Sequence, residues 1–269
     1  MTSMNSHNIS KLNQLLHRWP RGTVAVQSWL EKQGVYRQLA ETYRKGGWVE
    51  RIGEGAYIQR GDHVDWTGGL YALQMELGMQ IHIAAISALE MQGYAHFLPM
   101  GKGHAVWLFK DTQEKRNLPV WVKKRFAQDN QLKVLSRKLF QVEWKLGLME
   151  KKLGEYSVFV SSPERAMMEY LDLVPQRQSL EQALLLMEGL QTLRPQLVQE
   201  LLEKCTSVKV KRLFIWAAEQ EGHPWVKKLD LSHVDFGRGK RMIVKGGKFN
   251  NKYNLSLPLQ ADEEDDDAR

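Results

Sequence analysis

The chain of 269 residues is long enough for one small and one larger domain, each with its own core, and at 43% hydrophobic and 26% charged it has an ordinary globular composition. Its formal net charge of +7 includes an acidic tail (Asp262, Glu263, Glu264, Asp265, Asp266 and Asp267), so the body is more basic still and suits a polyanionic partner. One cysteine excludes an intramolecular disulfide and a cysteine-based zinc site. The absence of a signal-peptide core and of any run near ~20 apolar residues leads us to expect a cytoplasmic protein with no membrane contact.

Leu12, Leu15, Leu16 and Trp19 recur at helical spacing and predict a helix over residues 9–19, stopped by Pro20 and Gly22. A second helix is expected with Thr23 as N-cap and Val26, Trp29 and Leu30 on one face; Gln33-Gly34 supplies the turn, where glycine tolerates positive φ. The third helix, 36–45, buries Leu39 and Tyr43, turns Arg37, Gln38, Glu41, Arg44 and Lys45 outward, and ends at Gly46-Gly47. Residues 48–51 alternate as a strand does, Gly53-Glu54-Gly55 turns, and Ala56-Tyr57-Ile58 returns. Two short helices around a tight turn, followed by a two-stranded wing, make a winged helix-turn-helix over residues 1–66, a module whose dominant use is to place a short helix in the major groove of DNA.

Residues 62–67 are polar and glycine-flanked and read as a linker to a larger mixed α/β domain over 67–260, which makes the chain α+β. Helical segments at 70–77 and 83–91 precede strand-like runs at 105–109, 120–123, 132–135 and 158–160. Ser162-Pro163-Glu164 is a helix start with a serine N-cap, proline at the first helical position and an acid in the first turn. Ser179 with Gln182 matches a capping box, and further helices open at Pro195 and near Val208, the last with Val210, Leu213, Phe214 and Ala217 on one stripe. Strands at 241–244 and 253–257 close the domain around Gly246-Gly247, and the charged tail, 261–269, is expected to be disordered. Cys205 lies in a helical pattern with Leu197, Leu201 and Leu202 and reads as a buried core residue rather than a catalytic thiol.

The third helix carries the best candidate site. Arg37, Gln38 and Arg44 suit base edges, Lys45 suits a phosphate, Tyr36 stands at the helix start, and Arg51 on the wing is placed to reach the adjacent backbone or minor groove. The other reading of the same residues is an ordinary solvated helix face, or a protein-interaction unit. A second basic tract over 110–152, with Trp107, Trp121, Phe126 and Trp144 interleaved, fits nucleic acid or lysine-protected strand edges. The loop Phe236-Gly237-Arg238-Gly239-Lys240-Arg241 fits an anion or partner contact or a basic tight turn; no Ser or Thr follows Lys240, which argues against an NTPase loop. Glu143-Trp144-Lys145 with Asp129 upstream has the residue types of a Mg²⁺-dependent nuclease in a short, chance-prone triplet. His82, His96, His104, His223 and His233 show no metal-ligand spacing, so no metal or other cofactor is expected.

Taken in order, SWLEKQGVYRQLAETYRKGGWVERIGEGAYIQRGD at 28–62, HIAAISALEMQGYAHFL at 82–98, SSPERAMMEYLDLVP at 161–175, VKVKRLFIWAAEQEGHPW at 208–225 and FGRGKRMIVKGG at 236–247 resemble the AbiEi-type antitoxins of bacterial type IV toxin–antitoxin (abortive infection) systems. The resemblance implies a winged helix-turn-helix that binds repeats in the operon's own promoter and represses it. It also implies a C-terminal domain that counteracts a nucleotidyltransferase-type toxin without needing a stable complex. DNA contacts then fall on Tyr36, Arg37, Gln38, Arg44, Lys45 and Arg51. Arg165, Arg212, Arg238, Lys240 and Arg241 sit in the C-terminal segments of the resemblance and are candidates for partner or anion contact. This reading makes the chain a non-enzymatic autorepressor and antitoxin; the alternatives are a scaffold that masks the toxin directly and a nuclease using Asp129, Glu143 and Lys145.

Overall fold

The computed structural model describes residues 6–95, 105–126, 132–243 and 246–257. The chain folds into two compact units, one comprising Met1–Ile83, Pro99–Arg137 and Met149–Val160, the other Ala84–Leu98, Lys138–Leu148 and Ser161–Arg269. His96, His104, Asp129, Val244 and the acidic tail lie outside the described residues.

The first unit opens with a winged helix-turn-helix: α1 (Ser6–Arg18), β1 (Ala25–Val26), α2 (Gln27–Lys32), α3 (Arg37–Lys45), β2 (Val49–Gly53) and β3 (Ala56–Gln59). The three strands pair antiparallel in the order β1-β3-β2. Leu12, Leu15, Trp19, Leu30, Val35, Ala40, Tyr43, Val49 and Tyr57 form one core, closed by the apolar stripes that the spacing predicts. Two local expectations change. Thr23 does not cap α2: its hydroxyl donates to the Pro20 carbonyl at 2.7 Å, and Ala25-Val26 pairs with Tyr57 and Ala56 as a strand, which delays the helix to Gln27. On α3 the innermost side chains are Ala40 and Tyr43, with Leu39 only half-buried.

Residues 62–67, read as a linker, are folded. Asp62 accepts from the Gly22 amide at 2.7 Å, and Asp65 caps α4 (Trp66–Tyr71) by accepting from the Thr67 and Gly68 amides. Helix α4 runs into a π-helical turn, Ala72–Glu76. Next come β4 (Ile81–Ile83), α5 (Ala85–Met91, in the second unit), β5 (Trp107–Lys110), α6 (Val120–Phe126), β6 (Lys133–Ser136), β7 (Leu148–Leu153) and β8 (Tyr156–Ser161). The sheet order is β6-β5-β4-β8-β7, with β4 antiparallel to β5 and parallel to β8. Residues 120–123 form a helix and not the expected strand. Val-Trp-Val favours a strand in isolation, but Trp121 and Val122 are buried in the helical form, Trp121 against Gly53 and Phe126 against Gly69; packing overrides propensity.

The second unit is helical. Helix α7 (Pro163–Leu173) packs against α5, α8 (Leu180–Glu188), α9 (Pro195–Lys204) and α10 (Val208–Gln220). Nine of its residues are buried, Glu164, Arg165 and Glu169 among them. Ser179 caps α8 by accepting from the Gln182 amide, while the Gln182 side chain accepts from the Tyr170 hydroxyl rather than closing the box. Ser162 stands at the N-cap of α7 but its side chain makes no cap bond. A small sheet ends the unit: β9 (Arg241–Met242), β10 (Lys248–Asn250) and β11 (Leu255–Leu257), ordered β10-β11-β9. Residues 253–254, expected within the last strand, form a turn, and β10 was not expected. Among the described residues no helix is long and apolar enough to cross a membrane.

Candidate nucleic-acid interface

Helix α3 touches the core through Ala40, Tyr43 and the half-buried Leu39, which leaves the opposite side of the helix facing outward. At 100° per residue Arg37, Glu41 and Arg44 stack along one outward row, and Gln38, Thr42 and Lys45 along the next. Tyr36 occupies the N-cap position with 67% of its surface exposed, and Arg37, Gln38, Arg44 and Lys45 are all exposed. The Arg44 guanidinium forks onto Glu41, with Nε–Oε2 at 2.8 Å and Nη2–Oε1 at 2.5 Å. That fork, aided by the charges of Lys45 and Arg51, holds the Glu41 carboxyl below its ordinary range. Arg51 Nε donates to the Gly53 carbonyl at 3.0 Å. Arg44 pairs with this carboxylate and the charges of Lys45 and Arg51 act on it, while Tyr36, Arg37 and Gln38 lie toward the other end of the helix.

Two exposed neighbours escaped sequence reasoning. Trp48, 48% exposed, follows the Gly46-Gly47 stop, and Arg60 at the end of β3 donates to the Gly47 carbonyl at 3.3 Å. Only the pairing of β2 with β3, which sets Arg60 beside Trp48 through a backbone bond, reveals them.

The candidates in the second unit separate into two kinds. Arg165 and Arg212 are buried and their donors are committed. Arg165 Nε reaches Glu169 at 2.7 Å and its Nη1 donates to the carbonyls of Trp144 and Leu146, while its guanidinium stands 5.2 Å from the Phe140 ring centroid. Arg212 donates to the carbonyls of Phe236, Gly237, Gly239 and Asn254, and burial together with the nearby charge of Arg241 lowers its pKa. Arg238, Lys240 and Arg241 are exposed on the loop that Arg212 holds, with Lys240 Nζ 4.6 Å from the Phe249 ring centroid.

Groups that suggested chemistry are dispersed. Glu143 and Lys145 sit exposed ahead of β7, Lys145 in a turn. His82 is buried beside Phe109, His223 is buried with Nε2 2.7 Å from the Met187 carbonyl, and His233 pairs with Asp230 at the surface. Among the described residues no three His, Cys, Asp or Glu side chains are grouped to hold a metal ion. Cys205 is buried and its thiol is pushed up to about 11 by desolvation, so at neutral pH it is a thiol and not a nucleophilic thiolate.

Two family models match. One, described as an AbiEi antitoxin N-terminal domain of a transcriptional regulator, matches residues 8–100; the other, described as a transcriptional regulator and AbiEi antitoxin of a type IV toxin–antitoxin system, matches residues 103–258. The chain belongs to the AbiEi antitoxin family. No curated protein matches this AbiEi antitoxin. Among solved structures it is similar to the Rv2827c protein from Mycobacterium tuberculosis, at 13% identity over 94% of this chain and 92% of that one with a TM-score of 0.56, a likeness of fold alone.

The segments that carry the resemblance now have physical roles in this AbiEi antitoxin. In SSPER, Glu164 accepts three hydrogen bonds from Arg194, one from its amide and two from its guanidinium. Arg165 is clasped by Glu169, whose other oxygen accepts from Ser161 Oγ at 2.7 Å and from the amide of Ala85, a residue held at φ +49°. In KRLF, Lys211 donates to the Asp235 carbonyl, and with Arg212 it ties α10 to the FGRGK loop. At Arg165, Lys211 and Arg212 a buried cation organises carbonyls of a neighbouring segment, and at Glu164 and Glu169 a buried carboxylate gathers donors.

Proposed function

We propose that this antitoxin represses its own operon by laying α3 in the major groove of promoter repeats, with residues 1–66 as the DNA reader. Residues 67–260 counteract a nucleotidyltransferase-type toxin, with no stable complex required and with no chemistry of their own. The observation that supports the DNA reading is the outward face of α3: Leu39, Ala40 and Tyr43 turn to the core, and Tyr36, Arg37, Gln38, Arg44 and Lys45 are exposed, with Arg51 on the neighbouring wing. Arg and Gln side chains on an exposed helix match the bidentate readout of guanine and adenine edges, and Lys45 suits a phosphate. In the DNA-free protein Arg44 is engaged by Glu41, so groove binding exchanges that pair for a contact to DNA. Arg165 and Arg212 are structural, which leaves Arg238, Lys240 and Arg241 as the contact residues proposed for the second unit.

A promoter–reporter fusion in cells tests the reading. Expression of the wild-type protein should silence the reporter, and Arg37→Ala with Arg44→Ala should restore it while the variant still rescues growth in the presence of the cognate toxin. Equal repression by the double variant would remove α3 from the operator contact.

A further inference from the structure

The wing is poorly charged for a DNA contact. The exposed ionisable side chains of the hairpin are Glu50, Arg51 and Glu54, with Arg60 at the end of β3, two acids against two bases and so no net positive charge. What stands against it is α6, whose sequence Val-Trp-Val-Lys-Lys-Arg-Phe contains three bases and no acid. Trp121 lies over the Gly53 backbone so closely that a Cβ there would come within 2.5 Å of the Trp121 Cβ, and Phe126 covers Gly69 of α4 in the same manner at 2.6 Å. The two rings also meet edge to face at 6.3 Å. Both glycines lack the side chain that would lift α6 away, and the helix packs on β2 and α4 within the first unit.

With Trp121 and Val122 turned inward, Lys123, Lys124 and Arg125 are left exposed. Two contacts join α6 to the wing: Gly53 is covered by Trp121, and the Gly53 carbonyl accepts from Arg51 Nε, the wing side chain whose charge also helps to lower the Glu41 carboxyl of α3. We infer that α6 is a second DNA-contacting element, in which Lys123, Lys124 and Arg125 hold the phosphate backbone beside the wing and supply the positive charge that the wing lacks. This rests on the DNA-binding reading of α3 and extends it, because α6 comes from residues 103–258, the part matched by the second family model and not by the N-terminal one. Contacts to phosphate fix position and add affinity without reading sequence, so the contribution should be equal for operator and unrelated DNA.

The test is fluorescence anisotropy with a labelled ~30-base-pair promoter duplex and a scrambled duplex, across a salt series, for the full chain and for Lys123→Gln/Lys124→Gln/Arg125→Gln. A phosphate contact contributes about 0.9 to the slope of log K against log salt, so losing all three should flatten the slope by about 2.7 and weaken binding ~170-fold at 0.15 M salt relative to 1 M. Both duplexes should lose the same factor, leaving the promoter preference intact. Lys227→Gln/Lys228→Gln, exposed residues of the second unit, serves as the control for loss of net charge and should leave the slope near wild type. An unchanged slope in the α6 variant, with wild-type thermal unfolding and wild-type binding present, overturns this inference and leaves the α3 reading standing. An equal loss per charge removed in the Lys227/Lys228 control also overturns it, since charge and not position is then acting. Absence of wild-type binding to either duplex overturns both readings.

Discussion

Replacing Glu76 with glutamine should abolish a loss of stability that the wild-type protein suffers between about pH 5 and pH 8. Glu76 ends the π-helical turn, is buried, and uses Oε2 to accept from the Val26 amide at 2.7 Å, while Oε1 has no hydrogen-bond partner among the described residues. Burial outweighs that amide and the distant charge of Lys32, and pushes the carboxyl from its ordinary 4.5 up to about 8. The folded protein therefore keeps a proton that the unfolded chain releases above pH 4.5, and stability falls with rising pH until the folded group also ionises near 8. At ~1.4 kcal/mol per pH unit, the full window is worth on the order of 5 kcal/mol. Glutamine keeps an acceptor for Val26 and does not titrate. Urea unfolding of wild type and Glu76→Gln should therefore give a stability difference that grows in the variant's favour from pH 5 to pH 8 and is level beyond. Curves that stay parallel across that range would refute the assignment of a neutral buried carboxyl.

Other substitutions probe other contacts. Gly53→Ala places a methyl group where Trp121 stands, and should cost about 1–3 kcal/mol in thermal unfolding, as overpacking does, while flattening the salt dependence of DNA binding as loss of the α6 cations does. Arg212→Ala strips the donors from four carbonyls of the 236–239 loop and Asn254; trypsin should then cut after Arg238 and Lys240 far faster than in wild type, and an unchanged digestion rate would contradict the clamp. Glu169→Ala leaves Arg165 buried without its carboxylate and should destabilise the second unit by about 3–5 kcal/mol in urea unfolding. Glu41→Gln frees Arg44 in the DNA-free protein and removes a negative charge from the α3 face, so promoter affinity should rise several-fold, read by titration; a fall would mean the pair positions Arg44 for the groove.

How much of this was legible in the chain depended on how local the cause was. The winged module is written in short-range pattern: the apolar stripes of α1 and α3, Gly34 at φ +76° and Gly47 at φ +75° mark helices and stops within a few residues. The helix starts at Pro163, Leu180, Pro195 and Val208 were legible for the same reason. Residues 120–126 were not, because the helix is chosen by Gly53 and Gly69, far away in sequence, which leave room for Trp121 and Phe126. The three-residue β4 was missed between the expected helices at 70–77 and 83–91, since a strand buried on both faces shows no alternation. Of the candidate site, the outward row of α3 followed from helical spacing. The structural commitment of Arg165 and Arg212 did not, because apart from Glu169, one helical turn beyond Arg165, their hydrogen-bond partners are backbone carbonyls that carry no sequence signal.

Sequence-specific DNA reading by α3 is tested most directly by a mobility-shift titration of the purified full chain against the DNA upstream of its own gene and a scrambled duplex, at two salt concentrations. The expected result is a preference of roughly 10³-fold or more for the promoter, within the range of specific DNA readers, that Arg37→Ala and Gln38→Ala reduce more than the α6 variant does. Equal and steeply salt-dependent binding to both duplexes would contradict it, because positive charge alone would then account for the affinity.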